Sequence, residues 1–284
     1  MKHLLTTLVT LFLTSAVFSQ STVYKVSKGN NSIYLGGTVH ILKAEDYPLP
    51  KEFDSAFEKS ETLVFETDIA AFSDPSISVK MMTQATYQDE RTLQTVLDKE
   101  TYEKVKKLAT ELKFPIDQMQ KMKPSVLMIT LTLVKMQTEG ISGTGVDAHF
   151  FEKGKKAGKT INELETVDEQ IAFITNIGEG NENEFVNKSL KDLNNVKSMM
   201  DKMIKSWKTG NPKAMENIIN DMQTEFPKMY QLLLVKRNNN WMPKIENHIS
   251  NDDTEFVLVG SLHLYGKDGL LEQLKAKGYE VSQL

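Results

Sequence analysis

Short apolar runs alternate along this chain with longer segments whose apolar residues recur every three or four positions. Residues 32–39 form the first run. Ile33, Leu35 and Val39 are apolar, and Gly36 and Gly37 stand near its end, which predicts a strand. Residues 62–65 and, with a weaker pattern, residues 159–164 predict two more. The strongest is residues 254–259, rich in β-branched side chains and closed by Gly260. Residues 279–281 read as a last, edge strand. Helical spacing prevails between them. Residues 50–60 carry Phe53, Ala56 and Phe57 on one face, and residues 101–112 carry Tyr102, Val105, Leu108 and Leu112. Residues 124–136 are apolar enough to predict a buried helix. Thr166 followed by Glu169 fits a capping box ahead of Ile171. Asn211-Pro212 marks a helix start, and residues 268–277 close at Gly278. Short apolar strands separated by helices predict an α/β fold with a mostly parallel sheet. Strands sit at both ends of the chain. Residues 70–145 and 180–250 read as large helical insertions, and residues 178–183 are the most linker-like stretch.

Bulk composition narrows the class. With 284 residues, 40% of them hydrophobic and 25% charged, the chain has ample material for a core. A net charge of -4 gives no electrostatic case for nucleic acid. Lys2 and His3 precede an apolar stretch, and Val17 and Ser19 are small enough to flank a cut ahead of Gln20. That is the layout of a secretory signal peptide over residues 1–19, leaving residues 20–284 as the mature domain. The stretch is shorter than the ~20 residues of a spanning helix, so a secreted or periplasmic location is expected, with no membrane span after cleavage. There is no cysteine, hence no disulfide, no lipid attachment at the cut site and no thiol chemistry.

Candidate chemistry gathers at strand ends. Outside the leader the histidines are His40, His149, His248 and His263. Gly37-Thr38-Val39-His40 and Gly260-Ser261-Leu262-His263 repeat one frame, Gly-x-x-His, each after a predicted strand. Ligands of parallel α/β sheets bind beyond the carboxyl ends of strands, and a glycine there lets a ligand approach the backbone. Glu66 ends the run Leu63-Val64-Phe65, at the same edge. Two imidazoles and a carboxylate can hold a divalent ion with positions left open for water and substrate. Without a metal, a histidine could act as general base with Glu66 orienting it. Asp147 opens a predicted helix and fits an N-cap. Glu165 follows a strand, or belongs to the helix start at Thr166. Arg237-Asn238 ends the apolar helix of residues 230–235, just before a turn or new helix containing Trp241, and an arginine there could bind a carboxylate or stabilise an oxyanion.

Fourteen methionines are present, and spacings of three, four and seven put several on helix faces, as with Met200, Met203 and Met222. Such a stripe fits either plain core or an adaptable peptide groove. The chain lacks Gly-x-Ser-x-Gly, His-Glu-x-x-His and a phosphate-binding glycine-rich loop, which excludes an ordinary serine hydrolase, a zincin and a P-loop enzyme.

These pieces, in this order, resemble the TraB/GumN family, related to the Tiki metalloproteases and more distantly to erythromycin esterase and ChaN-like proteins. The resemblance runs from about Val23 to the end. It rests on residues 33–40, residues 63–68, Lys123-Pro124-Ser125, Gly145-Val146-Asp147, Leu164-Glu165-Thr166 with Gln170, Arg237-Asn238 ahead of Trp241, and residues 260–264. It implies two α/β halves meeting at a shared cleft, with His40, Glu66 and His263 at its centre. By resemblance to the Tiki branch it implies a manganese- or cobalt-dependent peptidase acting on a peptide or protein substrate; zinc suits the same donors. Asp147, Glu165, Arg237 and Asn238 match family positions too. The expected function is a secreted metal-dependent hydrolase. The alternatives are a metal-free, histidine-based esterase-like hydrolase and a non-catalytic protein that retains haem or a peptide.

Overall fold

The computed structural model describes residues 20–284, so the leader predicted over residues 1–19 lies outside the described residues. The five predicted strands are present and join a sixth in one sheet. Six strands, β1 (Val23–Lys28), β2 (Asn31–Thr38), β4 (Thr62–Phe65), β6 (Thr160–Glu163), β7 (Glu255–Gly260) and β8 (Glu280–Gln283), lie in the order β6-β4-β7-β2-β1-β8. β3 (Ile41–Leu42) and β5 (Gly143–Thr144) form a small separate pair. The centre of the sheet is parallel: β2 with β7, β7 with β4, β4 with β6. β1 runs antiparallel to both β2 and the edge strand β8. Strands from both ends of the chain thus share one sheet.

β1 is the strand that the apolar pattern left out. Its signal lies in the turn instead. Gly29 and Asn30 join β1 to β2 as a two-residue hairpin, and Gly29 has φ +63°, the left-handed conformation that such turns require.

Side chains along β7 face alternate ways. Phe256 and Leu258 join Phe53, Phe150 and Trp207 on one face, while Val257 and Val259 join Trp241, Ile245 and Leu274 on the other. Helices cover both faces, and a strand covered twice reads as a continuous apolar run. Burying one such side chain contributes about 1.5–3 kcal/mol. The two helical insertions together build a third cluster, from Leu93, Tyr102, Val105, Leu127 and Leu131 of the first and Val186 of the second.

Local signals at helix ends hold. The Thr166 hydroxyl accepts the Glu169 N–H at 3.2 Å while the Glu169 carboxylate accepts the Thr166 N–H at 2.8 Å, closing the box ahead of the helix Val167–Asn176. The helix Lys213–Glu225 starts where Asn211-Pro212 predicts, but Pro212 rather than Asn211 takes the N-cap position, and Asn211 Oδ1 accepts the Lys213 N–H at 2.9 Å from one residue further out. Another expectation changes. The apolar helix of residues 230–235 does not stop at Arg237-Asn238. Pro227–Tyr230, a π-helical turn Gln231–Val235 and the helix Lys236–Ser250 follow one another without a break. Among the described residues, no helix is long and apolar enough to cross a membrane.

Candidate functional site

Because β2, β4, β6 and β7 are parallel, they end at one edge. Thr38 pairs with Gly260, and Phe65 pairs with Leu258 on one side and Glu163 on the other. His40, Glu66, Glu165 and His263 each follow one of these strands and meet beyond the sheet. Arg237 and Asn238 reach the same place from the helix Lys236–Ser250, and Asp147 from the helix Val146–Ala157.

His263 is buried, its side chain 6% exposed. Asn238 Nδ2 donates to the carbonyls of His263, at 3.1 Å, and Asp268, at 2.9 Å, so its Oδ1 is an acceptor. That oxygen stands 2.6 Å from His263 Nδ1, which must carry the proton. The lone pair is then on Nε2, where Arg237 Nη1 donates to it at 3.1 Å. Burial holds the ring neutral and lowers its pKa to about 3.

His40 has the opposite environment. Its Nδ1 lies 2.8 Å from Asp147 Oδ2, and Thr38 Oγ1 donates to Asp147 Oδ1 at 2.6 Å. Asp147 therefore stands inside the first helical turn with its carboxylate turned to the site, and Gly145 takes the N-cap position that the sequence suggested for it. The Asp147 charge raises the His40 pKa to about 9. With 66% of its side chain exposed, His40 presents Nε2 to the cleft, and solvent screens part of that charge.

Arg237 ties the carboxylates together. Its Nη2 donates to Glu66 Oε2 at 2.6 Å, to Glu165 Oε1 at 2.7 Å and to Gln170 Oε1 at 3.1 Å, and its Nε donates to Glu165 Oε2 at 3.0 Å. Phe173 and Trp241 lie against its guanidinium at 4.8 and 4.5 Å. Glu165 also accepts the Trp241 Nε1–H at 3.1 Å, so it faces Arg237 and Trp241 rather than starting the next helix. Burial raises the Glu165 pKa despite Arg237. For Glu66 burial pushes the same way, but Arg237, the histidines His263 and His40 and the Gly260 N–H at 2.7 Å together prevail, and the carboxyl is lowered to about 2.

The cleft beside these groups encloses about 370 Å³ and is lined by His40, Glu66, Gln170, Arg237, Gly260 and His263, together with apolar side chains. A larger hollow of about 570 Å³, between Lys135 and Lys205, contains none of them. All seven residues singled out in the sequence come together. His149 and His248 do not: His149 packs on Tyr47 at 5.4 Å between ring centres, and His248 bonds Glu255 at 3.0 Å. Thr38, Gln170 and Trp241 complete the network without having been assigned a part in it. Their only local signal is adjacency to the motifs.

A metal ion was tested against this geometry. Among the described residues, no three His, Asp or Glu side chains stand ready as a coordinating cluster. Arg237 is bonded to both Glu66 and His263, whose nearest oxygen and nitrogen lie 3.9 Å apart. The donor chemistry nevertheless suits a divalent ion. Both histidines hold Nδ1 against an oxygen, the arrangement that orients metal-binding imidazoles. There is also a cradle: a Cβ on Gly260 would stand 3.3 Å from Glu66 Oε1, 3.5 Å from His40 Nε2 and 3.7 Å from His263 Cδ2.

Comparison with known proteins gives the following. A model of the TraB/PrgY/gumN family matches residues 22–283. The chain is 21% identical over 248 residues to the uncharacterized protein YbaP of Escherichia coli (strain K12), covering 87% of this chain and 89% of that protein. The uncharacterized protein YbaP of Shigella flexneri matches equally, at 21% over 248 residues. No solved structure matches the chain.

Proposed function

The chain belongs to the TraB/PrgY/gumN family, and from that premise we propose that its cleft is the centre of a secreted metal-dependent hydrolase that cleaves peptide bonds. The observation that carries this reading is the convergence of His40, Glu66 and His263 around the bare backbone of Gly260. His40 and His263, each oriented through Nδ1, would hold a manganese, cobalt or zinc ion together with Glu66. Such an ion polarises a carbonyl and lowers the pKa of its water to ~7. The chain's own groups supply the rest. Glu66, kept ionised by Arg237, is the cleft carboxylate available to take a proton from water. Glu165 keeps the guanidinium in place from behind. Arg237 offers positive charge to a substrate carboxylate or a developing oxyanion. His263 would hold the ion through Nε2, the atom that Arg237 Nη1 now occupies, and that guanidinium donor would then be free for substrate. Export belongs to the same proposal and would follow from the leader.

Elemental analysis after dialysis against manganese, cobalt or zinc tests the reading. About one bound ion per chain is expected, lost in His40→Ala and His263→Ala. If both variants keep full metal content and hydrolytic activity, the reading is wrong. One observation favours a second reading: Arg237 already occupies the His263 lone pair, and Asp147 orients His40 as an acid–base imidazole that donates a proton while charged and accepts one after losing it. That metal-free hydrolase predicts activity unaffected by chelators.

A further inference from the structure

The cleft has two chemically different kinds of lining. Its charged and titratable lining groups, His40, Glu66, Arg237 and His263, form one connected cluster around Gly260. The same cavity is lined by Met136, Met200, Met203 and Met222, with Leu233 and with Phe173, which packs on Arg237 at 4.8 Å and joins the two kinds of lining. These methionines come from three helices, Pro124–Thr138, Val196–Lys208 and Lys213–Glu225. Met200 and Met203, three positions apart, share one face of the second. Met136 and Met200 belong to the buried core and form the floor of a methionine wall, while Met203 and Met222 are half-buried and more open to the cleft; Met215, by contrast, is fully buried under the other face of the sheet. The neighbouring hollow, which shares Phe173 and Arg237, differs in kind: Glu165, Glu169, Lys236 and Lys244 line it.

An unbranched, polarisable side chain with three rotatable bonds adapts to apolar groups of different shape. A wall of four, without charge, disfavours a charged group and accepts large apolar ones. Because wall and reactive groups line one cavity, whatever enters the wall is attached close to the bond that reacts. We infer that the methionine wall receives a large apolar side chain, such as Leu, Met or Phe, beside the cleaved bond, and that the substrates are peptides carrying such a residue. This rests on the hydrolase reading above. In the reaction, the oxygen of water joins the carbonyl carbon, the C–N bond breaks, and the leaving nitrogen receives the proton.

The test uses the purified protein and fluorescent peptides that differ at one position: Leu, Met or Phe against Gly, Asp or Lys. Binding is read by anisotropy with chelator present, and cleavage by mass spectrometry with manganese added. Apolar peptides should bind, and be cut, on the order of 10- to 100-fold better than the Gly peptide. The preference should shrink at least several-fold in Met203→Gln/Met222→Gln, through KM rather than kcat, and survive in Met203→Leu. Both glutamine positions are half-buried; if the double variant fails to fold, Met222→Gln alone gives the same reading. Equal binding of all peptides, a preference unchanged in the glutamine variant, or a fatty-acyl ester preferred to every peptide overturns the inference. Selective binding without cleavage keeps it and sinks the peptidase reading. Cleavage without side-chain preference does the reverse.

Discussion

His40 and His263 flank the same glycine yet favour opposite protonation states. The cause is the partner of Nδ1 and the depth of the ring. Asp147 carries a full negative charge and draws a proton onto the exposed His40. Asn238 accepts a hydrogen bond but carries no charge, so burial decides for His263 and keeps it neutral. The cleft therefore holds one cationic and one neutral imidazole near neutrality. Proton NMR titration of the metal-free protein should place the His40 midpoint well above 6.5. Asp147→Asn should lower it by about one unit or more. A midpoint unmoved in that variant would reject Asp147 as the cause.

Each Gly-x-x-His frame joins the end of a strand to a site histidine, yet its glycine serves a different need in each. A Cβ on Gly37, in β2, would come within 2.8 Å of Leu264 Cδ1 and 3.0 Å of Ser261 Oγ, both of them buried. Its bareness lets the turn after β7 pack onto β2, where Ser261 Oγ bonds the Thr38 carbonyl at 2.8 Å. A Cβ on Gly260 meets only the functional groups, at ordinary contact distances or slightly less. Gly37→Ala should thus cost about 1–3 kcal/mol of stability in urea unfolding. Gly260→Ala should stay within about 1 kcal/mol of the parent while lowering metal content and activity about tenfold or more. The reverse pattern would exchange the two assignments. The helix beyond is also shaped for the site. A π-helical turn at Gln231–Val235 precedes Arg237, and such turns inside helices recur at functional positions.

At the scale of the molecule these local preferences become a pH profile. His263 has a folded pKa of about 3 against an ordinary 6.5. The stability it contributes is present above 6.5 and lost as pH falls from there toward 3, because the unfolded chain takes up a proton first. Glu66, about 2 against 4.5, adds a loss between those values. His40 works the other way. Its contribution is present below 6.5 and lost as pH rises toward 9. The urea midpoint of the metal-free protein should therefore peak near neutral pH and fall on both sides. Replacing His263 by Gln should flatten the acid side between pH 6.5 and 4.5, and an acid limb unchanged in that variant would refute the assignment.

Much of this was legible in the chain. Buried parallel strands such as β7 need apolar side chains on both faces, so a continuous run marks them. Turn and cap chemistry at Thr166, Asn211 and Gly278 is local, so it shows in neighbouring residues. The repeated Gly-x-x-His pointed to a shared site because strand ends are where such sheets bind ligands. What the chain could not display is contact across long separations. The pairings of Glu66 with Arg237, 171 positions apart, and of His40 with Asp147, 107 apart, arise only when the parallel order β6-β4-β7-β2 brings four strand ends to one edge. The same assembly turned Asp147 from a cap into the partner of His40 and carried a helix straight through Arg237. It also gathered four methionines into a cleft wall. Local pattern follows from which faces of an element must be buried; the site follows from which elements are neighbours, and that is set by the packing of the whole sheet.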